Sequence, residues 1–73
     1  MPGENLIELE GRVIEALPGG VLRVELSNGH CLIGYLSRAL REAGRRPAAD
    51  ERVVLKVSPG DFSQGRVIDI KST

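Results

Sequence analysis

The chain has 73 residues, 41% hydrophobic and 27% charged, with ten basic side chains against ten acidic ones. This length allows one small domain that buries only ~60% of the surface its unfolded form exposes, which excludes a multi-domain enzyme. The composition is that of a globular chain and excludes a disordered one.

Zero net charge alone argues against a nucleic-acid partner, but the charges are unevenly spread. Residues 1–36 hold Glu4, Glu8, Glu10, Glu15 and Glu25 against Arg12 and Arg23, a balance of −3. Residues 37–73 hold eight bases against Glu42, Asp50, Glu51, Asp61 and Asp69, a balance of +3. A locally positive surface is therefore compatible with overall neutrality. Cys31 is the only cysteine, so no internal disulfide staples the domain. The opening MPGENLIELEG has neither the basic n-region nor the apolar h-region of a secretory signal, and a cytoplasmic location is expected.

Residues 1–5 are expected to be a frayed, flexible N-terminus, with 6–73 forming a single domain. Ile7, Leu9, Gly11 and Val13 alternate with Glu8, Glu10 and Arg12, the period of two that sends successive side chains to opposite faces of a strand. Gly11 in mid-strand marks a bulge or a close backbone approach. Pro18-Gly19-Gly20 is a turn signal. A hairpin follows over residues 17–36, in which Leu22, Val24 and Leu26 alternate with Arg23 and Glu25. Leu32, Gly34 and Leu36 then alternate with Cys31, Ile33 and Tyr35. Between these runs Asn28-Gly29 is expected to supply both positive-φ residues of a two-residue type I′ turn.

From Ser37 the period changes. Leu36, Leu40 and Ala43, with Ala39 beside them, fit one helical face over about two turns. Ser37 reads as the N-cap, and Gly44 with Pro47 beyond it reads as the stop. Residues 44–52 read as a loop. Val53, Leu55 and Val57 alternate with Val54 and Lys56 as a fourth strand, residues 58–65 (SPGDFSQG) as a turn-rich loop, and Arg66 to Ile70 as a fifth strand. Five strands with one short helix between the third and fourth is the order of an all-β OB-fold, a small, partly open Greek-key barrel. An SH3-like barrel is the rival, which the helix disfavours.

No catalytic constellation emerges. His30 and Cys31 are adjacent and face opposite ways on a strand, so they form neither a nucleophile–base pair nor a two-ligand metal site. No phosphate-binding glycine motif, HExxH or GxSxG is present, so neither an enzyme nor a cofactor is expected. His30 follows a tight turn, where a plain surface role is the simple reading.

Arg38, Arg41, Arg45 and Arg46 are the concentrated feature. On a helix, positions 38, 41 and 45 share a face opposite the apolar one. That face is either a solvated side, with Glu42 pairing Arg38, or a phosphate-binding surface, since guanidinium forks match phosphate oxygens. Tyr35, read as outward and as either a plug for the barrel end or a ring for stacking on bases, and Phe62, read as lying in a loop, are the only aromatic rings. Two rings make a poor sequence-reading platform, so nucleic-acid binding is expected to rest on arginine–phosphate contacts and shape. A cold-shock-like single-strand binder is disfavoured for the same reason.

The ordered set IELEGRVIEALP, LRVELSNGH, YLS, Arg41, Arg46 and SPGDFSQGRV resembles the bacterial translation initiation factor 1 family from about Ile7 to Ile68. The most specific pieces are Gly11, Leu17-Pro18, Arg23-Val24-Glu25-Leu26, Asn28-Gly29-His30, Ser37, Arg41, Arg46, Pro59, Asp61 and Gly65-Arg66. The resemblance implies an OB-fold of the S1-like kind and no enzymatic activity. It implies binding to the small ribosomal subunit at its aminoacyl-tRNA site, on 16S ribosomal RNA beside a ribosomal protein, in cooperation with the other initiation factors. A monomer with no membrane partner is expected. Carried over residue by residue, it points to Arg41, Arg46 and Arg66, with Arg38 and Arg45 as basic additions. Members commonly have bases where this chain has Ala39, Glu42 and Ile70, and aromatics where it has Gly44 and Gly60. Each lost cation weakens the phosphate term, which leaves a second reading: an OB-fold protein-interaction module, or a paralogue with weakened ribosome binding.

Overall fold

The alternating patterns place their apolar halves inside a closed barrel. The computed structural model describes residues 5–71. Its strands are β1 (Ile7–Leu17), β2 (Val21–Leu26), β3 (Cys31–Leu36), β4 (Arg52–Ser58) and β5 (Asp61–Lys71), with helix α1 (Arg38–Glu42) between β3 and β4. They close in the order β1-β2-β3-β5-β4, with β4 pairing back onto β1. Every neighbouring pair is antiparallel except β3 and β5, which run parallel. This is the OB-fold arrangement, closed rather than partly open among the described residues. The expected frayed N-terminus lies, apart from Asn5, outside the described residues.

Val13, Val24, Val53, Leu55, Val57 and Val67 are fully buried, ringed by Leu22, Leu26, Leu32, Leu36, Leu40 and Ile70. Each such side chain stabilises the fold by roughly 1.5–3 kcal/mol relative to exposure. The barrel is narrow, and glycines set that width. A Cβ added at Gly11 would lie 2.5 Å from Val24 Cγ1, and one at Gly65 would lie 2.9 Å from Val57 Cγ2. Gly11 thus marks the close approach its position in the strand suggested. The bulge lies further along, between Val13 and Glu15, where β1 has left β4 and pairs with β2.

Three local readings are corrected. The β2–β3 turn is not type I′, because Gly29 (φ +89°) is its only positive-φ residue. Gly29 N–H donates to the Leu26 carbonyl (2.9 Å) and Leu26 N–H to the His30 carbonyl (2.8 Å). The result is a three-residue loop, Ser27-Asn28-Gly29, with a glycine bulge. Asn28 keeps negative φ, and its carboxamide oxygen accepts the His30 N–H at 3.0 Å.

Second, α1 is shorter than two turns and buries only Leu40; Ala39 and Ala43 are exposed. Ser37 Oγ accepts the Leu40 N–H as the cap. At the other end, Arg45 N–H donates to Leu40 O and Gly44 N–H to Arg41 O, the paired bonds of a Schellman stop. Arg45 therefore lies past the helix rather than on its basic face.

Third, β5 begins at Asp61, so the loop expected over residues 58–65 shrinks to Pro59-Gly60, and Phe62 belongs to a strand. Pairing to β4, with Asp61 opposite Ser58, and parallel pairing to β3, with Gln64 opposite Ile33 and Gly65 opposite Gly34, hold the two ends of this stretch extended.

Candidate nucleic-acid interface

Ion pairing divides the ten basic residues into two groups. Arg12 pairs with Glu25 (3.0 Å) and Asp50 (3.7 Å), Arg23 with Glu15 (3.5 Å), Arg38 with Glu42 (2.9 Å) and Lys71 with Glu10 (2.9 Å). Among the described residues, Arg41, Arg45, Arg46, Arg52, Lys56 and Arg66 make no ion pair. Several remaining acids are tied up locally. Glu51 Oε1 accepts the Ala48 N–H, and Asp61 accepts from the hydroxyl and N–H of Ser63, which hold its carboxyl below the usual carboxylate range. The acids neutralise one set of bases and leave the other unmatched, which is how a chain of zero net charge presents free cations.

Strand register aligns part of the free set. Tyr35 on β3 stands opposite Arg66 on β5, and Arg66 opposite Lys56 on β4. The row continues to Val21 on β2 on one side and to Glu8 on β1 on the other. Its inward-pointing counterparts are Leu36, Val67 and Leu55, so the whole row faces outward. Tyr35 is 46% exposed, which bears out its outward reading.

Arg41 approaches the Val21 end of this row. Its aliphatic stem lies over the β1–β2 turn, where a Cβ on Gly20 (φ +77°) would meet Arg41 Cδ at 3.3 Å. The Leu36 N–H donates to the Gly20 carbonyl, and the Ser37 N–H to the carbonyl of Val67, the residue after Arg66. These bonds fix the start of α1 against the turn on one side and β5 on the other.

The remaining arginines of the cluster are placed differently. Arg38 turns to Glu42, the pairing foreseen for a solvated helix face. Arg45 and Arg46 follow on a tethered loop. Pro47 is buried there, and beyond it Asp50 N–H donates to Val13 O while Val13 N–H donates to Glu51 O. Arg46 is thus exposed on a loop anchored at both ends.

Phe62 joins the opposite end of β3. His30 Nε2 is 2.8 Å from the Phe62 carbonyl oxygen, and the two rings meet edge to face with centroids 6.5 Å apart. His30 thereby closes the β2–β3 loop onto the start of β5 instead of standing alone on the surface. An open groove of about 920 Å³ lies beside this contact, lined by Leu9, Leu26 and Phe62 together with the already paired Arg12 and, opposite it on β4, the unpaired Arg52. It contains none of Arg41, Arg46, Lys56 and Arg66. Lys56 is the residue the sequence reading passed over, because in β4 alone it is an ordinary polar position. The register of the β4–β5 hairpin brings it next to Arg66, and that hairpin was hidden while residues 58–65 read as a loop.

No family model matches the chain. Among solved structures it is similar to the solution structure of translation initiation factor 1 from the Wolbachia endosymbiont strain TRS of Brugia malayi. The two share 35% identity over 88% of this chain and 76% of that chain, with a TM-score of 0.70.

Proposed function

The chain belongs to the bacterial translation initiation factor 1 family, and on that premise we propose that it binds the small ribosomal subunit at the aminoacyl-tRNA site during initiation. Its target there is 16S ribosomal RNA beside a ribosomal protein, and it assists the other initiation factors as a non-enzymatic cytoplasmic monomer. The observation that carries this reading is the set of exposed cations that no acid neutralises among the described residues.

Arg41, Arg46 and Arg66 are the principal phosphate contacts in this reading. Each offers a planar fork that stays charged at any working pH and matches phosphate oxygens two at a time. Arg45 adds to the field, while Arg38 must first exchange Glu42 for a phosphate and contributes less. Action is by occupancy: a rigid barrel positions the cations, RNA moulds to them, and the site is closed to other ligands. Contacts of this kind release counterions, so affinity falls as salt rises.

Replacing Arg41, Arg46 and Arg66 together with Ser is expected to abolish co-sedimentation with purified small subunits at a salt concentration where the parent pellets. All three side chains are exposed, so the variant keeps its barrel. A triple variant that pellets like the parent overturns the assigned surface. A parent that fails to pellet even at low salt supports the protein-interaction module or weakened paralogue instead.

A further inference from the structure

We propose that the outward row Tyr35–Arg66–Lys56 is a track for an unpaired RNA strand, with one base stacked on the Tyr35 ring and phosphates held by Arg66 and Lys56. This deepens the RNA-binding reading and rests on it. β3, β5 and β4 supply the three residues, joined in register across the parallel β3–β5 pairing and the antiparallel β4–β5 hairpin. With strands ~4.8 Å apart, the row from Tyr35 to Lys56 spans about 10 Å on a surface fixed by backbone hydrogen bonds.

The chemistry selects the ligand. Tyr35 is exposed although every alternate residue of its strand, Leu32, Gly34 and Leu36, is buried, so the ring is a presented face and not core. A ring so placed stacks on a base only when that base is unstacked from its neighbours, which a single strand allows and an A-form duplex does not. Arg66 and Lys56 are next in line and make no ion pair among the described residues, so both are available to the backbone of the same strand.

The row also has ends. Beyond Lys56 stands Glu8, which repels phosphate, and beyond Tyr35 stands the half-buried Val21. Next to the row along the same two strands lie Ile33 and Gln64, an apolar surface and an uncharged amide that tolerate any base. The track therefore reads strand state more than sequence.

Fluorescence anisotropy with a short labelled oligouridylate at low salt tests the track. Tyr35→Phe keeps the aromatic face and is expected to bind as the parent does, whereas Tyr35→Ser binds roughly ten-fold or more weakly. Lys56→Gln is expected to make the dependence of log affinity on log salt shallower by about 0.7, one phosphate contact on a single strand. Heat unfolding of each variant, expected to match the parent for these outward side chains, separates weakened binding from a damaged fold.

The track is overturned if folded Tyr35→Ser and Lys56→Gln bind the oligouridylate like the parent, or if Tyr35→Phe loses as much as Tyr35→Ser. Small-subunit co-sedimentation keeps the two readings apart. A parent that binds oligouridylate through these residues but never pellets with subunits retains the track and loses the ribosomal role. A parent that pellets through Arg41, Arg46 and Arg66 while the row variants bind oligouridylate unchanged does the reverse.

Discussion

The face built on Arg12 and Arg23 and the face built on Arg41, Tyr35, Arg66 and Lys56 carry similar side chains and differ in what surrounds them. On the first, β1 and β2 bring Arg12 opposite Glu25 in register, and the bulge then sets Glu15 opposite Arg23, so each guanidinium meets a carboxylate across the ladder. On the second, the cross-strand partners of Arg66 are a tyrosine and a lysine, and Arg41 lies against a glycine turn. Exposed pairs of the first kind contribute ~0–1 kcal/mol of stability and present little field to a polyanion. Unmatched cations of the second kind make no ion pair among the described residues and keep their charge open to a partner. Net charge is blind to this difference, and neutrality of the whole chain is therefore no argument against an RNA ligand.

The largest effect is expected from removing the scaffold both faces share. Leu55 is fully buried beneath β4 and β5, and Leu55→Ala is expected to cost about 2–5 kcal/mol, measured by denaturant unfolding. In so small a domain that is a large fraction of the total stability, and binding by both surfaces falls with the folded population.

A smaller effect is expected from Gly20→Ala, which strains a backbone at φ +77° by about 1 kcal/mol or more and pushes the new Cβ against the Arg41 stem. Subunit binding is expected to weaken beyond what the reduced stability explains, with oligouridylate binding by the Tyr35 row unchanged. That split, read by comparing the two assays, distinguishes what Arg41 does from what the row does.

The smallest effect concerns the Glu10–Lys71 pair. The Lys71 ammonium, donating to and attracting Glu10, holds that carboxyl below its ordinary value, and Glu10 in turn raises Lys71. The Glu10 contribution is present in full above the ordinary carboxylate value and is lost as pH falls through the depressed folded value. The Lys71 contribution is present below the ordinary lysine value and is lost as pH rises through the raised one. Lys71→Gln is expected to lower Tm slightly at neutral pH and to flatten its fall on the acid side, with less difference at high salt. RNA binding stays unchanged, since this cation is already paired.

How much was legible follows from how local each feature is. The alternations in β1, β2, β3 and β4 are local, and the order of elements with one capped helix was enough to name the barrel. The turn at Asn28-Gly29 was not, because the same dipeptide suits either loop length and the Asn28–His30 hydrogen bond decides between them. Asp61 to Gly65 looked like a loop because Ser63 and Gly65 carry little apolar surface. Gln64 and Gly65 take their extended form from pairing to β3, some thirty residues earlier in the chain. The arginine segment was visible as composition, and Arg66 through the family resemblance. The Arg38–Glu42 pair was open to view at i, i+4. Neither signal revealed that Arg45 has left the helix or that Lys56 stands beside Arg66, which depend on the hydrogen bonds of the helix stop and on strand register.

Whether the unpaired arginines carry RNA binding is tested most directly by the salt dependence of small-subunit binding. It is measured for the parent, for Arg12→Ser with Arg23→Ser, and for Arg41→Ser with Arg46→Ser and Arg66→Ser. At salt low enough to retain measurable binding, the paired-arginine variant should share the parent's slope of log affinity against log salt. The triple variant's slope should be shallower by roughly 2 to 3, about 0.7–0.9 for each arginine–phosphate interaction removed. One common slope for all three proteins, or an equal drop on removing the paired arginines, would contradict the division of the cations into a neutralised face and a binding face.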